Sequence, residues 1–471
     1  MPVTSEKTLK LTLWLVAIGF FMQTLDTTIV NTALPAMAAS LGESPLRMQS
    51  VVIAYTLTMA VLIPASGWMA DKLGTRIVFF SAIVLFVAGS ALCASAQSLN
   101  QLVAWRIVQG AGGAMLMPVG RLAILRTFPR ERLLAAMSFI AIPGLVGPLI
   151  GPTIGGWLSE MASWHWIFII NIPVGIIGGI ATWYHMAEGR EVTPSSFDFS
   201  GYALLAFGMA AISLSLDGMS GGGLHGSGFV LLIFGMVAIV AYWLHAQRKP
   251  DPIFPPQLFK IHTFTVGLLG SLFARIGAGS MPFLIPLLLQ VSLGYSPSHA
   301  GMMMLPVAAA GMFSKRMAVP IITRFGYRHV LVVNTVLVGL LMASFALIRE
   351  TQPLWTHIVL FSIFGAVNSL QFTAMNTLCI KDLDAGTASS GNSMFSMVQM
   401  LSMSLAVTTA GGVLATFTRV TDHGDPSDTL LAFHATFICV GLITSASAWI
   451  FWQLSPDVKP GKKDGEAVEL G

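Results

Sequence analysis

Asp26 stands well inside an apolar run that extends from about Leu9 to Leu34, within the stretch LDTTIVNTALP. As a helix, a run of that length crosses a hydrocarbon core of ~30 Å. An aspartate at such depth costs roughly 2.5–3.5 kcal/mol on insertion scales, so it marks a functional site by default. Helical spacing places Gln23, Asp26, Thr27, Val30 and Asn31 on one face, a mostly polar stripe turned toward a cavity or a partner helix. The chemistry open to this carboxylate is proton binding and release; the plainer reading is a packing aspartate tied up by one arginine. Such an arginine exists. In LVAWRIVQGAGGA, from Leu102 to Ala114, Arg106, Gln109, Gly110 and Gly113 share one narrow helical face. Counting the rise per residue brings Arg106 and Asp26 to a similar depth. Burial and a neighbouring arginine act on a carboxylate in opposite senses, so its proton occupancy can move with conformation. A static buried ion pair is the alternative.

A third deep charge, Arg275, falls about halfway along the ninth apolar segment, with no acidic partner that the sequence names. It must face water, pair with Asp26, or await an anionic ligand. Asn368, Gln371 and Asn376 in the twelfth segment offer polar contacts to a cavity, or hydrogen bonds between packed helices. The expected substrate cavity therefore draws on Gln23, Asn31, Gln109, Arg275, Asn368 and Gln371, and the expected proton-coupling pair is Asp26 and Arg106.

The elements that must hold these groups are membrane spans. The chain of 471 residues is 55% hydrophobic and 10% charged, with a mean hydropathy of +0.76. A soluble domain carries ~25% charged residues. Apolar segments of spanning length recur about fourteen times, which makes an all-α integral membrane protein with both termini on one side. With the N-terminus in the cytoplasm, about twenty of the 25 Lys and Arg fall inside, an asymmetry that sets the orientation. The net charge of +4 then reflects topology and gives no reason to expect a nucleic-acid partner. The first segment is too long for a signal-peptide core and reads as a retained span. Cys93, Cys379 and Cys439 are scattered and odd in number, which fits neither a disulfide framework nor a thiolate metal site. His165, His225, His299 and His434 read as interfacial or loop residues rather than ligands.

Internal repetition organises the spans. SLGESP, from Ser40, follows the first segment, and SLGYSP, from Ser292, follows the ninth. Gly74-Thr75-Arg76 after the second segment matches Gly326-Tyr327-Arg328 after the tenth, and TIGGWL from Thr153 matches TAGGVL from Thr409. Matches in register define two six-span blocks of the same orientation, with a site near the midplane between them. The expected division is residues 1–186 as one six-helix bundle, 187–263 as a linker with two inserted spans, 264–455 as the second bundle and 456–471 as a polar cytoplasmic tail.

GWMADKLGTR, from Gly67 to Arg76, joins the second and third spans. Gly67 and Gly74 permit close approach and a tight turn, while Asp71 and Arg76 offer a clasp or, more plainly, an acid beside inside-positive anchors. This decapeptide resembles the signature loop of the major facilitator superfamily, whose aspartate and basic residues form a latch between the two halves. The second-half counterpart keeps Gly326 and Arg328 but has no aspartate, so the latch is expected to be asymmetric, with Asp71 as its acid. The stretch around Arg106 resembles the family's Arg-containing motif. In PGLVGPLIGPTIGG, from Pro143 to Gly156, Gly147, Gly151 and Gly155 repeat every four residues for close helix packing, and Pro148 and Pro152 remove helix hydrogen bonds. Together with Gly156, they resemble the antiporter motif of the family's exporters. WHWIFIINIPVG, from Trp164, and LDTTIVNTALP are similar to motifs of the fourteen-span EmrB/QacA branch of drug:proton antiporters, in which the first-span aspartate is taken to couple protons.

The resemblance implies a major facilitator fold, two six-helix bundles in parallel pseudo-repeat plus two inserted helices. It further implies a proton-coupled secondary transporter that exports small molecules from the cytoplasm, as a multidrug efflux antiporter of a bacterial inner membrane. Its partners would be a small-molecule substrate, protons and the lipid bilayer, with no cofactor. The chain has no GxxxxGK[ST] phosphate loop, no metal-ligand spacing and no nucleophile elbow to suggest ATP drive or an enzyme. The three deep charges sum to a positive value, which keeps open a dedicated exporter of an organic anion or metal chelate. A non-transporting sensor or scaffold would have no need of repeated halves around an intramembrane acid. No residue pattern sets the oligomeric state; a monomer is the expected working unit.

Overall fold

The computed structural model describes residues 6–188, 196–220, 226–349, 351–384, 387–421 and 427–456. Arg190, His225 and the tail from 457 onward lie outside them. Among the described residues, thirteen continuous helical stretches are long and apolar enough to cross a membrane. They are α1 (Thr8–Leu41), α2 (Pro45–Leu73), α3 (Thr75–Ala94), α4 (Leu99–Thr127), α5 (Ala135–Met161), α6 (Trp166–His185), α7 (Phe199–Gly218), α8 (Ser227–Arg248), α9 (His262–Ser292), the 51-residue stretch Pro297–Leu347, and finally Leu354–Lys381, Ala388–Thr421 and Asp428–Trp452. The long stretch is two crossings. Gly326 sits within it at φ 78°, ψ 158°, outside any helical region, and divides it into α10 (297–325) and α11 (327–347). With α12 (Leu354–Lys381), α13 (Ala388–Thr421) and α14 (Asp428–Trp452), the crossings number fourteen, as the segment lengths predict.

Gly326 has a counterpart in Gly74, which turns α2 into α3 at φ 93°, ψ 146°. Gly42 after α1 and Gly294 after α9 lie at φ 66° and 64°. Among the described residues, only these four have positive φ, and they fall at matching places in the two blocks. Positive φ with ψ near 150° is a conformation essentially reserved for glycine, so the turns at Gly74 and Gly326 require it. The internal repeat is thus one of backbone conformation as well as of letters.

Within the first block, α1 packs on α5, and α4 on both α2 and α3; in the second, α12 packs on the α10–α11 stretch and α14 on α11. Small residues permit this approach. Gly147, Gly151 and Gly155 of α5 lie so close to Thr24, Leu25, Thr28 and Ile29 of α1 that an added Cβ would overlap them. The helix carrying them, Arg130–Met161, stays continuous through Pro143, Pro148 and Pro152, whose effect is the loss of single hydrogen bonds. The inserted helix α7 lies where α2 meets α13, with Ser213 Oγ 3.0 Å from Ser404 Oγ, and α8 packs on α7. Asp198 anchors this pair at the end where α7 begins. Its Oδ1 accepts the Gly201 N–H at 3.1 Å, lies 2.8 Å from His245 Nε2 and lies 3.6 Å from Lys249 Nζ. Burial pushes the Asp198 carboxyl up, but the hydrogen bonds from His245 and Gly201 and the charges of His245 and Lys249 outweigh it and hold the group below the usual carboxylate range.

The two blocks meet tightly at the end bearing Gly42 and Gly294, which the charge asymmetry would place outside and which is named the outer end on that expectation. Gly156 of α5 lies against the Pro297 carbonyl, and Gly301 of α10 against the Pro152 carbonyl, with no room for a side chain at either. Thr153 Oγ1 donates to the Gly301 carbonyl at 3.2 Å, and the Ser298 N–H donates to Glu160 Oε2 at 2.9 Å. Gln290, on a π-helical turn that closes α9, donates from Nε2 to the Thr32 carbonyl of α1 at 2.9 Å. On the other side of the molecule, Gln49 at the start of α2 lodges against Gly411 of α13. The outer end is closed. A Gly156→Leu substitution places a branched side chain where the Pro297 carbonyl stands. It should force α5 and α10 apart, seen as several-fold faster labelling of a single cysteine at Thr153 by an impermeant maleimide added from outside. Unchanged labelling would mean that this seam does not set closure.

Candidate functional site

Asp26 and Arg106 meet at the centre of the first block. Arg106 Nη1 donates to Asp26 Oδ2 at 2.6 Å, and the side chains are 1% and 0% exposed. The other carboxylate oxygen, Oδ1, accepts from Gln109 Nε2 at 2.7 Å and from Asn171 Nδ2 at 3.4 Å. Gln109 is itself held: its Oε1 accepts from Arg106 Nη1 at 2.6 Å, and its Nε2 also donates to Ser90 Oγ at 2.9 Å. Arg106 Nε reaches the Val51 carbonyl at 3.3 Å, and the guanidinium stacks 4.1 Å above the Tyr55 ring. Five helices, α1, α2, α3, α4 and α6, thus converge on one ion pair.

Local sequence makes the convergence possible. Gly110 and Gly113 of α4 lie against Tyr55, and Gly89 of α3 lies against the backbone of Gln109, contacts that a Cβ would block. α4 can therefore sink between α2 and α3 and carry Arg106 and Gln109 to Asp26. Chemically, the carboxylate is saturated by donors and sealed from solvent. A proton on Asp26 would remove the charge that holds Arg106 and turn one acceptor oxygen into a donor, so this arrangement of the network belongs to the ionised carboxylate.

The remaining expected residues divide. Gln23 and Asn31 are buried on α1; Asn31 Nδ2 lies 3.5 Å from the Thr27 carbonyl, whereas Gln23 Oε1 and Asn31 Oδ1 have no hydrogen-bond partner among the described residues. Gln371 turns toward α11, accepting from Asn334 Nδ2 at 2.9 Å and donating to Thr335 Oγ1 at 2.6 Å. Asn368 is half-buried and makes no hydrogen bond among the described residues. Arg275 is not a partner of Asp26: it donates to Ser271 Oγ at 2.9 Å and to Asn376 Oδ1 at 3.1 Å, and stacks 4.3 Å over Phe372. In the signature loop, Asp71 pairs with Arg126 of α4, and Arg76 with Glu188 beyond α6. The latch implied between the two halves is, in this conformation, a pair of clasps on the side of the first block: Arg126 lies within that block and Glu188 just past its end, at the start of the linker.

Sequence reasoning missed Ser90, Tyr55 and Val51, which carry no periodic or motif signal, and passed over Asn171 although it lies within WHWIFIINIPVG. It also missed Asp217. That carboxylate, near the outer end of α7, accepts from Gln49 Nε2 at 2.8 Å; placed at the edge of an apolar run, it reads as an interfacial residue. Removing one member of the buried pair should destabilise the protein by about 3–5 kcal/mol. Arg106→Ala and Asp26→Asn combined should cost less than their sum by about 1–3 kcal/mol in detergent unfolding, whereas simple additivity would deny the coupling.

The Major Facilitator Superfamily profile matches residues 16–407. The protein named "Putative multidrug resistance protein MdtD" from Serratia proteamaculans is 51% identical over 446 residues, 94% of this chain and 93% of that protein. The protein of the same name from Pectobacterium atrosepticum is 49% identical over 456 residues, 97% and 98% of the two chains. Among solved structures, a POT family transporter crystallised with a thioalcohol-conjugated peptide superposes with a TM-score of 0.70 at 15% identity, covering 96% of this chain and 97% of that one. A likeness at that identity speaks for the fold alone, whereas the profile match and the near relatives span most of the chain, which therefore belongs to the major facilitator superfamily of secondary transporters and is not an enzyme.

Proposed function

We propose that this chain is a proton-coupled antiporter of a bacterial inner membrane, with both termini cytoplasmic, and that it exports amphipathic small molecules, drugs among them. The observation that supports this most is the fully buried Asp26, held by Arg106 and Gln109 inside one bundle rather than across the two. A carboxylate so placed can gain a proton only when its partners yield, which ties titration to a change of shape. The name shared by the bacterial relatives favours drug export, and the antiporter-like glycines of α5 favour exchange.

In the cycle, residues 1–186 and 264–455 act as rocking bundles about a substrate site between them, with 187–263 as the linker pair. Opening outward lets a proton reach Asp26 and loosens its hold on Arg106. The protonated carrier turns inward, substrate enters from the cytoplasm, and the proton leaves as the ion pair reforms. The loaded carrier then returns. Each charge that crosses supplies ~2.3 kcal/mol per 100 mV, enough to support substantial accumulation.

Asp26→Asn should abolish pH-gradient-driven transport in proteoliposomes while the protein still inserts and can be purified; retained gradient-driven transport would remove Asp26 from the mechanism. Asp71→Asn removes the charge that pairs with Arg126 and should slow turnover several-fold with substrate affinity within about twofold, and unchanged turnover would dismiss the clasp from the conformational cycle.

A further inference from the structure

We infer that the substrates of this carrier are amphipathic organic anions whose oxyanion group is bound by Arg275, a reading that rests on the transport function proposed above. Asp26 and Arg106 cancel each other at 2.6 Å. Arg275 has no carboxylate partner among the described residues; its hydrogen-bond partners, Ser271 and Asn376, are neutral. An uncompensated guanidinium within a bilayer-spanning helix costs several kcal/mol unless water, dipoles or an anion meet it.

Its position favours an anion. On α9, Arg275 is 7% exposed, whereas Leu269 and Phe273, on the other side of the helix, are 42% and 45% exposed as lipid-facing residues are. On α12, Asn368, Phe372 and Asn376 recur every four residues and are half-buried, opposite Val359 and Ile363, which face outward. The two inner faces meet at Arg275, where Phe372 supplies a flat apolar platform 4.3 Å from the guanidinium carbon. A guanidinium has five N–H donors, and the two bonds to Ser271 and Asn376 leave an edge able to take a carboxylate, sulfonate or phosphate in a forked pair. Phe372 would accept the aromatic or aliphatic body of such a molecule, and Asn368 could add a donor. A cationic drug meets the reverse at this site: a fixed positive charge whose hydrogen-bond partners, Ser271 and Asn376, are neutral.

The test uses purified full-length protein in proteoliposomes with an acid interior, and two dyes, carboxyfluorescein as the anion and ethidium as the cation. Wild type, Arg275→Gln, Arg275→Lys and Asp26→Asn are compared, with thermal unfolding as the control for folding. The inference expects wild type to take up carboxyfluorescein, Arg275→Gln to lose it tenfold or more, Arg275→Lys to keep an intermediate rate, and ethidium uptake not to fall in either variant. It is overturned if Asp26-dependent ethidium uptake occurs without carboxyfluorescein uptake, if carboxyfluorescein uptake is indifferent to Arg275→Gln, or if both dyes fall together in folded variants, which would make Arg275 a structural residue. Those outcomes leave the transport reading standing. Absence of gradient-driven uptake of either dye in wild type would remove the transport reading, and this inference with it.

Discussion

Everything in the first block is arranged around one ion pair that is expensive to bury. Desolvating a carboxylate and a guanidinium costs several kcal/mol per ion, and their attraction repays it only where other hydrogen bonds complete the site. Here Gln109, Asn171, the Val51 carbonyl and the face of Tyr55 complete it, from α4, α6 and α2. The glycines of α3 and α4 follow from that need, since helices that must deliver short side chains to one point have to approach almost backbone to backbone. A pair with so many partners resists partial loosening. It is either assembled or rearranged, a two-state element of the kind through which a local change biases a whole bundle.

The link from that pair to the rest of the molecule runs through α5. Three of its glycines seat it on α1 at the residues flanking Asp26, and Gly156, the residue after the last of them, seats it on the start of α10 in the other block. One helix therefore touches both the wall of the buried site and the outer seam. Because the packing at both places has no slack for a methyl group, a shift of α1 against α5 has to be answered somewhere along the helix.

Much of this was legible in the sequence, for physical reasons. Span count followed from hydrocarbon thickness, and the repeat from glycines that serve as the only positive-φ residues described. Asp26 and Arg106 stood out because charge at depth is costly, and counting rise per residue matched their depths. What could not be read was identity of partners across helices. Nothing in the spacing of Gln371 says that it turns to Asn334 rather than to a cavity, and nothing in GWMADKLGTR says that Asp71 meets Arg126 instead of the opposite block. Helical periodicity gives the azimuth of a side chain on its own helix, while its partner depends on how that helix is rotated against its neighbours, which tertiary packing decides.

The two outer seams are related by the internal repeat, yet they are not equivalent. Where α5 meets α10, bare glycines face carbonyls; where α13 meets α2, the position corresponding to Gly301 is Gln49, whose amide also reaches Asp217 on α7. Parting the first seam releases backbone groups and the Thr153 and Glu160 side chains that meet them. Parting the second obliges the inserted pair to choose a side: it travels with α2, keeping the amide–carboxylate bond, or stays with α13 and leaves Asp217 bare at the membrane edge. In the proposed cycle the additional helices would thus make the rocking of the two bundles lopsided, with a mass of lipid-facing protein carried by one of them and a stroke that need not be symmetric about the centre.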